Sequence, residues 1–441
     1  MKHVPAARLD SLCALLVLLC AGLLPGCSPS RGGETVTLRF WAMGREGEVV
    51  QELTRAFERE NPGIRVEVQQ IPWSAAHEKL LTSYVGRSTP DLAQLGNTWV
   101  PEFSAIGAIE PLDSWLARTT SLGPSFTFPG IWDTNVIDGM PYGIPWYVDT
   151  RLLFYRADLL REAGYDSMPG DWAGWRAAME AIRRASGGKT YGIFLPINEW
   201  AQPAILGLQA GSPLLADNAT RGAFSEPPFR RAFAFYVGLF KDELSPPVTN
   251  NEIANMYQEF GRGTFAMVIT GPWNLGEFAR RLPPEQQDDW TTAPLPGPTG
   301  PASGLSLAGG SSLVLFRESE HKEEAWKLIL FLSERERQLE FRELTGDLPA
   351  NRAAWDDSSL AADPRLVAFR EQLQRVTPTP KVPEWELIAS RLAIEAERAV
   401  RGGPDVDPDS VLAGLDREVY RILEKRRSLL AHRAGAGEDL P

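Results

Sequence analysis

The stretch TVTLRFWAMGREGEVVQELTRAFERENPGIRVEVQQI, residues 35–71, decides the fold. Residues 35–42 alternate like a strand, and residues 46–61 carry apolar side chains at helical spacing up to Pro62, which cannot continue a helix. Residues 64–71 alternate with a period of two, as a second strand does. This stretch therefore predicts a strand, a helix and a strand in succession.

The following residues extend the same order. They predict a helix over 74–86, a short buried strand over 91–95 and another helix over 99–105. A β-α-β-α-β order favours a mostly parallel sheet with helices on both faces. Sheets of this kind bind ligands at the carboxyl ends of their strands, so the loops after residues 42 and 95 are candidate binding loops.

A second block begins with the long extended segment 142–155 and ends in a helix-rich C-terminal part from residue 321 onward. Residues 294–301 (PLPGPTGP) are too rich in proline for regular structure. The remaining predicted elements are helices over 156–163, 172–185, 226–243 and 252–261, and strands over 191–195, 264–270 and 305–316.

Composition narrows the class of protein. A chain of 441 residues, 43% hydrophobic and 23% charged, is globular and too large for one simple core, so we expect two domains. Its net charge of -12, without a long basic run, argues against nucleic acid as a partner, because phosphates attract concentrated Lys and Arg. The 14 tryptophans supply flat apolar faces that suit the core but also the C–H faces of sugar rings.

The N-terminus predicts export. Lys2 and Arg8 precede an apolar run over 12–24, which has the length of a signal peptide and is too short to span a membrane. The residues Leu24-Pro25-Gly26-Cys27 then resemble a bacterial lipobox, which predicts a signal peptide over 1–26, a lipid on Cys27 and a flexible tether over 27–33. An ordinary secretory signal with a chance cysteine is the alternative.

Cysteine use agrees with this interpretation. The chain has three cysteines, of which Cys13 and Cys20 fall within the predicted signal peptide and Cys27 follows it. The mature protein would therefore carry no free thiol in an oxidising compartment. The same distribution excludes a disulfide framework, a cysteine-based zinc site and a cysteine nucleophile.

Eight segments in order carry a resemblance to a known family. They are FWAMGREGE (40–48), AHEKL (76–80), STPDLAQLGNTWVPEF (88–103), GIPWYVDTRLLFY (143–155), FLPINEW (194–200), GTFAMVITGPWN (263–274), GGSSLVLF (309–316) and LPANRAAW (348–355). With these segments the chain resembles extracellular solute-binding protein family 1, the sugar receptors of ABC importers of the maltose- and trehalose-binding type.

The resemblance implies a fold and partners. The fold would be the α/β, two-lobed periplasmic-binding-protein fold of type II, each lobe a mostly parallel sheet flanked by helices, with crossing strands near Tyr147, near Pro301 and after Arg352. The partners would be a carbohydrate, the permease subunits of an ABC importer and, through the N-terminal lipid, the membrane. The protein would be monomeric and would bind no cofactor, metal or nucleic acid. The implied division is an N-terminal lobe over 34–147 and 302–352, a C-terminal lobe over 148–301 and 353–430, and a flexible tail over 431–441.

The loop after the first strand holds Gly44, Arg45 and Glu46. Glycine lets the backbone approach a ligand, and Arg45 and Glu46 offer paired donors and acceptors. By spacing alone this is more often an ordinary strand-to-helix turn, with Glu46 stabilising the helix dipole. The resemblance favours ligand contact, because the family binds sugar in this loop.

Two further groups lie in the first half of the chain. Asn97, Thr98 and Trp99 follow the third strand, although Thr98 could instead cap the next helix. Asp149 lies in the crossover segment near Tyr147, where a buried carboxylate needs partners. The resemblance implies sugar contact for Asp149, and an ion pair with an arginine of the same segment, Arg151 or Arg156, is the alternative.

The second half contributes aromatic and small residues. Trp273 of the GPW motif is the stacking platform that the resemblance implies most strongly, and core packing is the alternative for each tryptophan. His77 is a candidate for indirect support of the site. The other candidates are Glu199, Trp200, Asn274, Gly309, Gly310, Arg352 and Trp385; the two glycines would offer backbone N–H groups or form a bulge.

Two other functions stay open at this stage. A two-carboxylate glycoside hydrolase could use Glu46 and Asp149, although no GxSxG, HExxH or Walker pattern occurs. The same fold could also bind a polyol phosphate, a metal ion or a peptide. A phosphate site should bring clustered Lys or Arg, whereas these candidates are aromatic and acidic, so a neutral di- or oligosaccharide is favoured.

Overall fold

The computed structural model describes residues 35–403 and 406–435. The predicted signal peptide, Cys27, the tether and residues 436–441 lie outside this part of the chain. In the described part, no helix combines the length and the apolar character that crossing a membrane requires.

Strands are distributed along the whole described chain. They are β1 (Val36–Met43), β2 (Ile64–Ile71), β3 (Leu92–Gly96), β4 (Val136–Ile137), β5 (Met140–Pro141), β6 (Ile144–Asp149), β7 (Leu152–Arg156), β8 (Leu215–Ala216), β9 (Arg221–Gly222), β10 (Met267–Thr270), β11 (Trp290–Ala293), β12 (Ser306–Leu307), β13 (Gly309–Leu315), β14 (Leu348–Pro349) and β15 (Val376–Thr377).

Helices connect and cover these strands. They are α1 (Gly44–Glu60), α2 (Trp73–Val85), α3 (Val100–Ala105), α4 (Asp113–Leu116), α5 (Pro129–Asp133), α6 (Ala157–Glu162), α7 (Trp172–Ala185), α8 (Ala201–Gln209), α9 (Pro227–Lys241), α10 (Met256–Arg262), α11 (Leu275–Arg281), α12 (Lys322–Leu332), α13 (Arg335–Thr345), α14 (Ser358–Ala361), α15 (Pro364–Gln372), α16 (Trp385–Arg401), α17 (Pro408–Ile422) and α18 (Glu424–Gly435).

The larger sheet has the strand order β2-β1-β3-β13-β6-β14. The deciding stretch forms it as predicted: β1 pairs in parallel with β2 from Val36↔Ile64 to Met43↔Ile71, and with β3. Helix α1 makes the crossover and packs close to the sheet, because a Cβ at Gly47 would lie 2.5 Å from the Ala42 carbonyl oxygen. Strand β13 runs antiparallel to β3 and β6, which makes the sheet mixed.

The smaller sheet has the order β10-β7-β11, and both of these pairs are antiparallel. A mostly parallel sheet was expected here, so the strand direction is the part of the prediction that is wrong. Both neighbours of β7, β10 and β11, run opposite to it. The period-two pattern that identifies a strand does not show which distant strands it pairs with or in which direction. Parallel bridges, Tyr191↔Phe265 and Phe194↔Val268, extend this sheet beyond β10.

The chain passes between the two sheets at three places. Segment β6–β7 makes the first crossing, residues 294–308 make the second, and the residues after β14 make the third. At the second crossing β12 pairs in parallel with β15. These places agree with the crossings that the resemblance implied, while the exact lobe boundaries stay a prediction.

Several elements differ from the sequence expectation. Residues 191–195 form isolated bridges rather than a full strand. The helices α5, α8 and α11 were not predicted, since each is short or lies beside proline or glycine. Helix α18 continues to Gly435, five residues into the segment expected as a flexible tail.

Trp146 ties β6 to the helical layer. Its side chain is 0% exposed, stacks on Phe341 of α13 with ring centroids 4.3 Å apart, and packs against Phe40 of β1. We expect Trp146→Ala to lower the free energy of unfolding by about 3–5 kcal/mol, measured as a lower denaturant midpoint.

Trp146→Phe is the matched control for this prediction. The indole Nε1 is buried and has no hydrogen-bond partner in the described part of the chain. Phenylalanine keeps a stacking ring and removes that unsatisfied donor, so it should cost much less than alanine. Equal losses for the two variants would contradict the packing account.

Candidate functional site

A cavity of about 430 Å³ lies between the two sheets. Glu46, Trp73 and Trp99 line it from the carboxyl ends of β1, β2 and β3, and Asp149 lines it from the end of β6. Trp273 follows β10 of the smaller sheet and faces the same space. The cavity therefore lies where the strand order predicted a ligand site.

Ten of the sixteen predicted contact residues line this cavity. They are Glu46, Asn97, Thr98, Trp99, Tyr147, Asp149, Trp200, Trp273, Gly309 and Gly310. Segments separated by more than 200 residues are thus brought together at one place.

Glu46 and Tyr147 join the first loop to the crossing strand. The Tyr147 hydroxyl donates to Glu46 Oε1 over 2.9 Å, and it accepts hydrogen bonds from Gln94 Nε2 and Ser311 Oγ. Burial raises the pKa of the Tyr147 phenol well above its ordinary value, and the charge of Glu46 raises it further. Tyr147 therefore stays a hydrogen-bond donor that fixes the Glu46 carboxylate.

The loop after β3 holds a buried amide donor. Asn97 is buried, and its Oδ1 accepts a hydrogen bond from Ser312 Oγ over 3.1 Å. Its Nδ2 is buried and finds no hydrogen-bond partner among the described residues. The Thr98 side chain makes no capping hydrogen bond to the helix that follows, so the capping alternative is not what the structure shows.

His77 contacts the site through Trp99. Its ring lies edge-on to the Trp99 indole with centroids 5.1 Å apart, and its Nε2 is 2.7 Å from Glu102 Oε2. That hydrogen bond raises the pKa of His77. His77 does not line the cavity but holds one of its aromatic walls, as the sequence analysis suggested for it.

Asp149 enters the cavity beside two glycines. A Cβ at Gly309 would lie 2.1 Å from Asp149 Oδ1, so only glycine leaves room for the carboxylate. The Gly310 N–H donates to this carboxylate, and a bulge follows at Ser311/Ser312. Burial raises the pKa of Asp149, and the nearby charge of Arg151 opposes this. Arg156, the other proposed partner, pairs with Asp158 instead.

Trp273 is the most open aromatic wall of the cavity. Its side chain is 45% exposed, and a Cβ at Gly271 would lie 2.0 Å from the indole ring, so Gly271 gives the ring its place. The guanidinium carbon of Arg151 lies 5.5 Å from the centroid of the Trp273 ring. A cation over an aromatic face is attracted to it, so Arg151 helps to hold the indole.

Trp200 forms another wall and is supported from behind. Trp385 is 0% exposed and meets Trp200 edge to face with centroids 5.6 Å apart. Trp385 is therefore a core residue, which was its alternative interpretation. Glu199 does not line the cavity, and its Oε1 accepts a hydrogen bond from Asn250 Nδ2 over 2.9 Å.

The other predicted contacts that lie outside the cavity have identifiable roles. Arg45 is exposed and donates to the Leu344 carbonyl. Both polar atoms of the Asn274 side chain are used, since Nδ2 donates to Thr270 and Oδ1 accepts from Tyr257. Arg352 lies over the ring of Phe128. Gly44, at φ +49°, leaves room for the Trp73 indole, which a Cβ would approach to 2.8 Å.

Several residues that line the cavity were not predicted from the sequence. Trp73 directly follows β2 and Pro72, so the strand-end rule applied to β2 would have found it. From the sequence, Arg151 was expected only as an ion-pair partner of Asp149. Asp347 gave no such signal, because its position depends on pairing between distant strands. The other missed lining residues are Gly96, Leu307, Ala308, Ser311 and Thr379.

The cavity is acidic. Glu46, Asp149 and Asp347 line it, whereas Arg151 is its one cationic lining residue. Burial raises the pKa of Asp347 to about 8, and the charges of Glu46 and Asp149 add to the effect. In residues 35–403 and 406–435 no group of His, Cys, Asp or Glu side chains is placed to hold a metal ion.

This arrangement suits a ligand with flat apolar faces and many hydroxyl groups. The indoles offer surfaces for stacking, the carboxylates accept hydrogen bonds, and the Asn97 amide donates one. A cavity of this volume falls within the range of small-molecule sites, about 300–1,000 Å³.

Comparison with known proteins agrees with the fold. Residues 43–338 match the family described as bacterial extracellular solute-binding protein. The structure is similar to that of the sugar-binding protein MalE from the phytopathogen Xanthomonas citri, at 48% identity over 90% of this chain and 99% of that one, with a TM-score of 0.87.

Two more relatives extend the comparison. An ABC transporter solute-binding protein of Thermotoga lettingae, bound with alpha-D-tagatose, is 26% identical over 88% of this chain and all (100%) of that one, with a TM-score of 0.72. An uncharacterised lipoprotein of Streptomyces antibioticus is 28% identical over 74% of this chain and 72% of its own length. The two-lobed fold expected from the sequence is thus confirmed.

The raised pKa of Asp347 predicts a pH-dependent cost in stability. An aspartate in the unfolded chain titrates near pH 4, so the cost is absent below about pH 4, grows as the pH rises and is complete above about pH 8. Asp347→Asn should therefore melt within about 1 °C of the wild type at pH 4, and about 2–4 °C or more above it at pH 8.

Scanning calorimetry without ligand measures this difference. Glu343→Gln, at an exposed position on α13, is the control and should shift the melting temperature little at either pH. The assigned pKa would be contradicted if the difference in melting temperature between Asp347→Asn and the wild type stays constant or narrows as the pH rises.

Proposed function

The chain belongs to the family of bacterial extracellular solute-binding proteins, and we propose that it is the receptor of an ABC importer for a neutral di- or oligosaccharide. The sugar binds in the cavity between the two lobes. One observation carries the proposal: the half-exposed indole of Trp273 faces a cavity that also holds carboxylate acceptors.

The chemistry of the cavity supports a neutral sugar. The C–H face of a pyranose ring stacks on an indole, while its hydroxyls donate to carboxylates such as Asp149 and Glu46. Asn97 Nδ2 is a donor that loses its desolvation cost when a hydroxyl oxygen accepts from it. These contacts are the ones that a sugar makes and that the protein leaves open.

A phosphate ligand fits the same cavity poorly. Three acidic side chains, Glu46, Asp149 and Asp347, line it, against the single guanidinium of Arg151. A polyol phosphate would be repelled by this charge balance, because anions bind where Lys, Arg or helix N-termini are concentrated.

Binding and closure are linked in this arrangement. Trp73, Trp99 and Glu46 belong to elements around the larger sheet, whereas Trp200 and Trp273 belong to elements around the smaller one. A sugar that contacts both groups stabilises the conformation in which they approach each other, in proportion to its difference in affinity for the two states. The importer's membrane subunits would then recognise the closed form.

The protein is a binding protein, not an enzyme, as its family membership indicates. Membership of this extracellular family also makes it an exported protein. We propose further that the exported protein is monomeric and anchored by a lipid on Cys27, through the short tether over 27–33. A tethered receptor stays at a high effective concentration near its importer.

A screen identifies the sugar and tests the proposal. Glucose, galactose, maltose, maltotriose, trehalose and cellobiose are each added to the protein, and the melting temperature is measured. A sugar that binds only the folded protein raises the melting temperature, by an amount that grows with its concentration relative to Kd. The panel sugar with the largest shift is the probe for the variants below.

Trp273→Ala should weaken binding of that probe by about tenfold or more, since losing one stacking face costs about 1–2 kcal/mol. Isothermal titration calorimetry measures the change. Tyr420→Ala, which removes an exposed aromatic ring of α17 outside the cavity, should leave the affinity unchanged. Unchanged affinity in Trp273→Ala would remove Trp273 from the site.

Cys27→Ser should release the protein from the membrane. The variant keeps the apolar signal but offers no thiol for lipid, so it should appear in the soluble extracytoplasmic fraction or the medium. The wild type should appear in the detergent-extracted membrane fraction. A wild type that is equally soluble would favour the ordinary secretory signal and contradict the anchor.

A further inference from the structure

We propose that Asp347 is a sugar-contacting residue that donates a hydrogen bond from its neutral carboxylic acid, so that ligand binding depends on a proton. The inference rests on the proposed function and adds a specificity residue to its site. Asp347 was not among the residues that the sequence pattern or the family resemblance suggested.

The backbone places Asp347 at the wall of the cavity. Helix α13 ends at Thr345, the next residue Gly346 takes the left-handed conformation at φ +87°, and β14 begins at Leu348. Strand β14 pairs with β6 through Leu348↔Val148 and Pro349↔Tyr147, which sets Asp347 beside the end of β6 where Asp149 lies. Both carboxyl groups line the same cavity.

The charged groups around Asp347 are mostly acidic. Glu46 on α1 and Asp149 on β6 both act on it as negative charges. The Tyr147 hydroxyl on β6 already donates to Glu46. Of the nearby cations, Arg151 lies over Trp273, and Arg45 is exposed and donates to the Leu344 carbonyl.

No cation compensates Asp347 within the described chain. The influences on it are burial, Glu46, the Thr345 side chain and Asp149, and none of these is basic. A third negative charge in this cavity is unfavourable, so the pKa of Asp347 is raised to about 8 and the empty protein holds a proton there at neutral pH.

A neutral carboxylic acid can do what the other two carboxylates cannot. A carboxylate only accepts hydrogen bonds, whereas each sugar hydroxyl offers an oxygen acceptor as well as a donor. The O–H of Asp347 supplies a donor to match such an oxygen, as buried acids kept neutral do in other sites. It complements the Asn97 amide, whose Nδ2 has no hydrogen-bond partner among the described residues.

The alternative is that Asp347 is ionised and binds a ligand that carries a protonated amine. It would make affinity for an amine-bearing sugar increase as pH rises, until the amine itself loses its proton. The protonation of Asp347 near neutral pH favours the hydroxyl ligand, and the pH dependence below separates the two.

The test is a calorimetric titration of the wild type with the probe sugar between pH 5.5 and 9.5. The affinity should be nearly constant up to about pH 7.5 and then fall, approaching tenfold per pH unit above the pKa of about 8. Titrations near pH 8.5 in two buffers of different ionisation heat should show uptake of up to about one proton on binding.

Variants test whether Asp347 is the group whose loss of a proton weakens sugar binding at high pH. Asp347→Asn keeps a donor without a titrating group, so it should bind within about threefold of the wild type at pH 6.5 and show no fall at high pH. Asp347→Ala should lose about tenfold at pH 6.5, the worth of one well-made hydrogen bond, and should also lack the fall. Glu343→Gln should keep both the wild-type affinity and its pH dependence.

Three results would overturn the inference. They are a wild-type affinity that does not change with pH, an Asp347→Asn variant that keeps the wild-type fall, and affinity for glucosamine that rises with pH while that for glucose does not fall. Each leaves the sugar receptor intact. If none of the panel sugars binds at any pH, the proposed function itself fails, and this inference fails with it.

Discussion

The segment from Ile144 to Arg156 is the constraint on which the rest of the structure depends. Its first half is an interior strand of the larger sheet, and its second half is the middle strand of the smaller sheet, with only Thr150 and Arg151 between them. One continuous backbone therefore joins the two sheets, together with the two later crossings of the chain. The carboxyl ends of β1, β2, β3 and β6 then point towards the same space, which becomes the cavity.

The same segment brings the unfavourable electrostatics of the site. Tyr147 and Asp149, in the first half of this segment, lie near Glu46 of α1 and Asp347, which precedes β14. Three carboxyl groups around one cavity with a single guanidinium reduce the stability of the empty protein, because buried acidic groups raise one another's pKa. Sites that cost stability in this way are a mark of function, and here the cost is offset when hydroxyl groups enter.

Much of this could be predicted from the sequence, and the physical reason is local patterning. Period-two strands and the helix ending at Pro62 specify the larger sheet, and the strand-end rule places Glu46 and Asn97 at its ligand edge. The strand direction of the smaller sheet could not be predicted, because the pattern of a strand does not show which distant strands it pairs with or in which direction. Asp347 was not predicted for a related reason, since its neighbours in the cavity come from elements far away in the sequence. Trp385 and Arg352 were misplaced because residue type alone does not separate a tryptophan or arginine in the cavity from one that packs behind it.

The central claim is that sugar binds between the lobes against Trp273. A crystal structure grown with a saturating concentration of the sugar identified by the thermal screen tests it most directly. The account predicts a sugar ring stacked on the Trp273 indole, with hydroxyl groups within hydrogen-bond distance of Asn97 Nδ2 and the Asp149 carboxylate. An empty cavity in a protein that calorimetry shows to bind the sugar, or a sugar held elsewhere on the molecule, would contradict it.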